Sequence, residues 1–286
     1  MILIDYSALA FATVLVNPDM SDNEDMIRHM ILNQIRMYRS KFKAEYGEIV
    51  ICCDGPNNWR YGFFKEYKAN RKTNRDDSTI DWNLVFKIVN ETRDDLENHF
   101  PYKTVKVDGC EGDDVIGALV DLTQEFGKNE KIMIISSDKD FKQLHKYSNV
   151  SQFSLRTKKI MQVDDPSGFL FEMLLKGDSG DGVPNVRSAD DFLVKKESRA
   201  KPISKKMIEK MLASDNLEAD LGTEQYKNFK RNQMMIDLSY TPANLKQECI
   251  NTFVNQDKTG YGKKVMPYLL KNRMKMLLER VQEFVN

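Results

Sequence analysis

Two short acidic segments carry the residue types with the clearest chemistry. Glu111, Asp113 and Asp114 stand in Glu111-Gly112-Asp113-Asp114, and Asp138 and Asp140 stand in Ser136-Ser137-Asp138-Lys139-Asp140. Each follows a run that reads as a strand: Val105 and Val107 alternate before the first, and Ile132-Met133-Ile134-Ile135 precedes the second. Between them Val115, Leu119, Leu122 and Phe126 recur at helical spacing, and Gly127 supplies a stop. The outline is a βαβ unit, whose strands end on one sheet edge, where open α/β sheets bind ligands. A helix dipole, worth about 0.3–1 kcal/mol per acidic group, cannot offset five carboxylates gathered there. Oxygen ligands at that density suit a hard divalent cation, Mg²⁺, with Mn²⁺ as a substitute.

Further acids follow the same pattern. Asp5 ends the apolar run Met1–Ile4, and Asp54 follows the strand-like run Glu48–Cys53. Asp178 and Asp181 form a pair in the glycine-rich turn Gly177–Pro184. A lone acidic residue after a strand most often caps a helix, and Asp54-Gly55-Pro56 alone is an ordinary turn. Recurrence in separate segments argues against capping as the whole explanation. Many carboxylates with few Cys or His ligands suit two-metal phosphoryl transfer, in which attacking and leaving oxygens are both stabilised. No GxxxxGK[ST] loop is present, so nucleotide hydrolysis is disfavoured.

A candidate substrate-holding stretch lies at residues 57–76. Arg60, Lys65, Lys68, Arg71, Lys72 and Arg75 interleave with Trp59, Tyr61, Phe63, Phe64 and Tyr67. Cations for phosphate and rings for bases suit single-stranded nucleic acid; the plainer reading is a helix with a solvated basic face.

The elements that must position these groups can be read in outline. The N-terminus, MILIDYSALA, reads as a strand. Ser21 or Asp22 can cap a helix carrying Ile27, Ile31, Ile35 and Phe42 on one face. A second helix holds Trp82, Val85, Ile88 and Leu96 and stops at Pro101. Residues 149–163 read as a strand, a basic turn and a second strand, and Asp164 or Asp165 caps a helix opening at Pro166. From about residue 186 the composition is helical and basic. The chain has 286 residues, 41% hydrophobic and 30% charged, with a formal net charge of zero, so charge is segregated locally rather than globally basic. No apolar run approaches the roughly 20 residues of a membrane helix. The four cysteines form no CxxC pair, which disfavours structural zinc and fits reduced thiols in a cytoplasm.

EGDDVIGAL, ISSDKDFKQL and KGDSGDGVP together resemble the metal-site motifs of the 5′ nuclease superfamily. That superfamily covers flap endonucleases and 5′–3′ exonucleases. With WRYGFFKEYKANRK and VRSADDF, the similarity is greatest to the ribonuclease H members of T-even bacteriophages, and it covers most of the chain. The resemblance implies a mostly parallel α/β nuclease core (PIN-like) over residues 1–180, with a helical arch at about 57–100. It implies a helical DNA-binding subdomain over 181–286 with a degenerate helix-three-turn-helix. Carried over, Asp5, Asp54, Glu111, Asp113, Asp114 and Asp138 surround a first Mg²⁺, and Asp140, Asp178 and Asp181 a second. Lys68 and Arg71 contact the scissile phosphate, with Asp138 as a further catalytic residue. Trp59, Arg60, Lys65, Tyr67, Lys72 and Arg187 complete the nucleic-acid contacts.

The implied activity is 5′-to-3′ removal of RNA primers and 5′ flaps during lagging-strand synthesis, on forked DNA and RNA–DNA hybrids. The implied state is a monomer in the host cytoplasm, working with a single-stranded DNA-binding protein and a sliding clamp. One departure stands out. The family's duplex-binding turn continues G-V-x-G-I-G, whereas Gly182-Val183-Pro184-Asn185-Val186-Arg187 lacks the later glycines. That puts a bound potassium ion and strong duplex binding there in question. Two other classes compete: a non-catalytic DNA-structure-binding protein, which loss of carboxylates would have signalled, and a haloacid-dehalogenase-type phosphatase. The second needs an early DxD nucleophile, and Asp5-Tyr6-Ser7 lacks the second aspartate.

Overall fold

Five short strands build the centre of the chain in this computed structural model, which describes residues 1–17, 19, 21–69, 71, 80–124, 127–195 and 201–285. They are β1 (Ile2–Asp5), β2 (Ile49–Cys53), β3 (Lys103–Lys106), β4 (Ile132–Ile135) and β5 (Val150–Phe153), all parallel, in the order β3-β2-β1-β4-β5. Every residue of β1, β2 and β4 is buried, as continuous apolar strands covered on both faces must be.

The chain steps outward from β1 to β3, then returns to the other side of β1 for β4. This reversal leaves a crevice between the carboxyl ends of β1 and β4. Asp5 pairs in register with Cys52, and Ile4 with Ile135, so Asp5, Asp54 and Asp138 leave the sheet on one edge. The βαβ outline needs one correction. β3 and β4 are not neighbours, because β2 and β1 lie between them. The helix joining them spans the sheet, and that brings its acidic N-terminus over the crevice.

One face of the sheet carries α1 (Tyr6–Val16), α2 (Glu24–Tyr46) and α3 (Trp82–His99). The other carries α4 (Gly112–Gln124). Helix α1 begins inside the MILIDYSALA stretch that the sequence reads as strand. Its residues, YSALAFATVLV, are apolar around the circumference and so show no helical period. Asp5 caps α1, accepting from the Ala8 amide at 3.0 Å, and α2 is capped by Asn23 rather than Ser21 or Asp22. After β5 only one bridge, Phe153 to Ile160, forms in place of a second strand. Asp165 caps α5 (Pro166–Lys176) as the sequence suggests.

The later helices do not gather into one unit. α6 (Lys205–Leu212) and α7 (Thr223–Ile236) join α5, Phe64 and Tyr67 in a third apolar cluster. α8 (Ala243–Val254) packs on α4 and β3, whereas α9 (Gly262–Lys271) and the C-terminal residues to Phe284 pack with α2 and α3. α3 belongs to the main core through Val85, Ile88 and Leu96, so the last part of the 57–100 segment is core rather than arch. Among the described residues, no helix is long and apolar enough to cross a membrane.

Candidate active site

Each carboxylate at the sheet edge is held by a neighbouring strand end or helix start. Asp5 accepts a second bond from the Ser136 hydroxyl at 2.7 Å, tying β1 to the turn after β4. Asp54 accepts from the Ser7 hydroxyl and from the Gly112 amide, each at 2.7 Å, so α1 and the start of α4 fix it. A Cβ at 112 would lie in van der Waals contact with Asp54 Oδ1 and the Cys52 carbonyl oxygen, each at 3.4 Å. Asp138 accepts from the Asp140 amide at 2.9 Å.

In this group burial and like charge outweigh the hydrogen bonds and cations that favour ionisation. Burial pushes the Asp5 carboxyl up to about 7, and the charges of Asp54 and Asp138 push the same way. Burial first, then Asp138 and Asp5, hold Asp113 well above the usual carboxylate range. Asp140 is raised by burial and then by Asp138 and Asp178, and its Oδ1 is buried without a hydrogen-bond partner. Asp138 therefore acts on three other carboxyls at once. Clustered buried acids with this sign of shift call for a cation.

Asp114 faces elsewhere. It is fully buried, and its oxygens accept from Arg60 at 2.8 and 2.9 Å, from Thr241 at 2.6 Å, from the Glu111 amide at 2.9 Å and from the Trp59 indole at 3.3 Å. Burial alone would raise its carboxyl, yet the Arg60 guanidinium holds it below the usual range. Arg60, 2% exposed, also donates to the Met235 carbonyl at 3.0 Å and lies over the Trp59 ring. The expectations of Asp114 as a metal ligand and of Arg60 as a nucleic-acid contact are thus corrected. The two form an internal pair, and no lone pair of Asp114 is left over for an ion. The half-buried Trp59 is drawn into the same arrangement.

The basic segment contributes at Lys68 and Arg71. Lys68 Nζ lies 2.5 Å from Glu111 and 3.6 Å from Asp181, and Arg71 lies 2.5 Å from Asp181. The Tyr67 ring is buried, contrary to its expected role as a base contact, and its hydroxyl donates to Glu111 at 2.8 Å and Asp181 at 3.1 Å. Lys68 has φ +56°, uncommon for a side-chain-bearing residue. Its amide bonds the Asp181 carbonyl at 2.8 Å, which docks the Lys68 turn on the Asp178–Gly182 turn. Lys65 and Arg187 are exposed, whereas Lys72 lies outside the described residues.

Asp5, Asp54, Asp113 and Asp138 can serve one ion, with Glu111 at its border, and Asp140, Asp178 and Asp181 a second. Among the described residues, no three Asp, Glu, His or Cys side chains close on a point as a direct coordination shell. Mg²⁺ usually keeps several waters and takes one or two carboxylates directly, so the donor set still fits it.

Comparison with known proteins is decisive for class. Residues 1–169 match the family described as 5′-3′ exonuclease, N-terminal resolvase-like domain, and residues 169–284 match the T4 RNase H C-terminal family. The chain belongs to the 5′–3′ exonuclease family. Over 99% of its length this exonuclease is 36% identical to ribonuclease H of Enterobacteria phage T4, covering 95% of that protein. It is 29% identical over 86% of its length to a 5′-3′ exonuclease of Buchnera aphidicola, covering 85% of that protein. In fold it is similar to the phage T5 D15 flap endonuclease solved with DNA and metal ions, at TM-score 0.62 and 18% identity, with 95% and 98% of the two chains covered. It is also similar to T5 5′-exonuclease with bound zinc, at TM-score 0.59 and 19% identity, with 95% and 99% covered. This exonuclease is therefore an enzyme of the nuclease class, and the phosphatase alternative is displaced.

Several residues that shape the exonuclease's site escaped sequence reasoning. Ser7 and Ser136 orient Asp54 and Asp5, and nothing in their local sequence marks that role. Lys139 was legible only as the residue between two aspartates; its Nζ sits 2.5 Å from Asp178 and 3.9 Å from Asp140. Gly182, at φ +74°, lets the acidic turn approach the Lys68 turn, since an added Cβ would lie 2.7 Å from the Glu66 carbonyl oxygen. Gly182→Ala is expected to lower cleavage by about 10–100-fold by shifting Lys68, because small misplacements of reacting groups cost that much. Unchanged turnover in a labelled-substrate assay would remove Gly182 from the positioning of Lys68.

Proposed function

We propose that this exonuclease is a Mg²⁺-dependent, structure-specific 5′ nuclease that removes 5′ flaps and RNA primers from duplex DNA during phage-type lagging-strand replication. One observation carries the reading: at the β1/β4 crevice, two groups of carboxylates meet Lys68 and Arg71. Divalent ions bound there supply charge for an in-line displacement and activate water.

The chain's own residues do the rest. Ser7, Ser136 and the Gly112 amide fix the orientation of Asp5 and Asp54 before substrate arrives. Lys68 and Arg71 rest on Glu111 and Asp181, and the Arg71 side chain, 48% exposed, can turn to a phosphodiester. If divalent ions were held by these carboxylates, they would draw a phosphate to the crevice, and Lys68 and Arg71 would add positive charge as charge develops on its oxygens. Lys65 and Arg187, both exposed, are the further cations assigned to the strand and the duplex. A single-stranded DNA-binding protein, a sliding clamp, a monomeric state and the host cytoplasm belong to the same proposal on family resemblance.

The test is cleavage of a 5′-labelled RNA–DNA hybrid and a 5′-flap duplex with Mg²⁺ or with EDTA. Metal-dependent release of short 5′ products supports the proposal, and binding without cleavage counts against it. Lys68→Ala is expected to lower kcat by about 100-fold or more with a KM change of a few-fold, since the contact strengthens in the transition state. A change in KM alone would make Lys68 a positioning contact.

A further inference from the structure

The turn at 184–188 is where the sequence departs from the family's glycine pattern, and its carbonyl oxygens face α7. Arg231 Nη2 donates to the Pro184 carbonyl at 2.7 Å and, more weakly, to that of Asn185 at 3.4 Å. One turn earlier on α7, Asn228 Nδ2 donates to the Val186 carbonyl at 3.0 Å and that of Ser188 at 3.2 Å. Four carbonyl dipoles of one turn thus converge on a single helix face. The remaining Arg231 donors are engaged as well: Nη1 with Asp190 at 2.6 Å and Asn228 Oδ1 at 3.3 Å, and Nε with Asn232 Oδ1 at 3.0 Å. The side chain is only 9% exposed and its guanidinium lies over the Phe64 ring.

Converging carbonyls repel one another and need a positive partner, which in a protein is a bound cation or a side chain. Here the positive partner is covalently part of α7. On the other side of the turn Arg187 is exposed, with its amide bonded to Asn185 Oδ1 at 2.9 Å and its Nη1 to the Pro202 carbonyl at 3.2 Å. Lys201 and Lys206 are exposed nearby in sequence. Arg231 closes the buried side of the turn, and Arg187 is its exposed cation.

We propose that Arg231 is the built-in cation of the 184–188 turn, holding it in shape to contact a duplex phosphate through Arg187, so that duplex binding is indifferent to which monovalent ion is present. The proposal rests on the reading that this turn meets the duplex. It makes Arg231 a positioning residue, since its guanidinium points inward.

The experiment uses the full chain and a fluorescein-labelled 5′-flap duplex in EDTA, titrated in KCl or NaCl at equal ionic strength. The wild-type Kd is expected to agree between the two salts within about twofold, and Arg231→Ala to weaken binding at least about tenfold, the loss of charged hydrogen bonds to buried carbonyls. Millimolar guanidinium chloride restores much of that loss, and Arg231→Lys, which keeps a cation, retains more affinity than Arg231→Ala. Amide exchange reads the clasp without DNA: the Val186 amide, bonded to Leu175 at 3.0 Å, and the Ser188 amide, bonded to Asn185 at 3.0 Å, exchange faster in Arg231→Ala and slow again with guanidinium. Wild-type binding that needs K⁺, or unchanged exchange in Arg231→Ala, overturns the proposal. Faster exchange with unchanged duplex affinity also overturns it, by showing that the turn is not the duplex contact. Absence of metal-dependent cleavage would instead strike the nuclease reading and leave the exchange result standing.

Discussion

Asp138→Asn is expected to abolish cleavage while leaving DNA binding in EDTA intact. The reason is its position between both carboxylate groups. Its charge raises Asp5 and Asp113 on one side and Asp140 on the other, so it is the acid that both groups share. Neutralising it weakens cation binding on both sides together. If about 4 kcal/mol of transition-state stabilisation is lost with the displaced ions, turnover in Mg²⁺ falls about a thousandfold. The same change takes an exposed like charge away from the buried Asp5 and Asp140. In EDTA the variant is therefore expected to melt about 2–4 °C higher than the wild-type chain, the shift that about 1 kcal/mol gives at this size. Loss of activity with a higher metal-free Tm separates a metal-site role from a folding defect. Wild-type turnover in Asp138→Asn would sink the assignment of both groups.

Arg60→Met is expected to be the most destabilising single change in the basic segment. It leaves Asp114 buried at 0% exposure without the guanidinium that now takes both its oxygens. Removing one partner of a buried pair costs about 3–5 kcal/mol, a large share of the roughly 5–15 kcal/mol that holds a domain together. Thr241, Trp59 and the Glu111 amide remain bonded to Asp114 but bring no charge. Arg60→Lys should recover little, since one ammonium cannot replace a two-pronged donor that also reaches the Met235 carbonyl. Asp114→Asn in the Arg60→Met background should recover part of the loss, because the stranded charge is gone. Urea unfolding of the two single variants and the double variant measures this. A loss below about 1 kcal/mol in Arg60→Met would mean that the pair is dispensable.

These two residues show where local reading stops. Asp114 sits in the same four-residue segment as Asp113, and Arg60 sits in the same basic run as Lys68 and Arg71. At a helix start, consecutive residues point in directions about 100° apart. Asp113 therefore faces the crevice with Asp5 and Asp138, whereas Asp114 faces Thr241 and Arg60. Nothing in the spacing alone tells which of two adjacent aspartates turns inward. Tyr67 is a similar case: an aromatic among cations reads as a base platform, yet its ring fills the cluster formed with Met173 and Phe229 and its hydroxyl serves Glu111.

What the sequence determined by itself was everything that follows from period and chain order. Continuous apolar runs too short for helices made β1, β2 and β4, and acids placed just after them had to emerge at the carboxyl edge. The order of the motifs marked the family. Tertiary structure decided the rest, beginning with strand order. Placing β4 beside β1 rather than β3 is what brings Asp138 to Asp5, and strand order depends on how helices pack on the sheet. It also decided which charges are satisfied inside the protein and which still lack a counter-charge. Arg60 and Asp114 come from segments separated by β3, and Arg231 closes on a turn more than forty residues earlier. Pairings over that distance are set by packing, where a buried charge must find its partner, and local sequence carries no record of it.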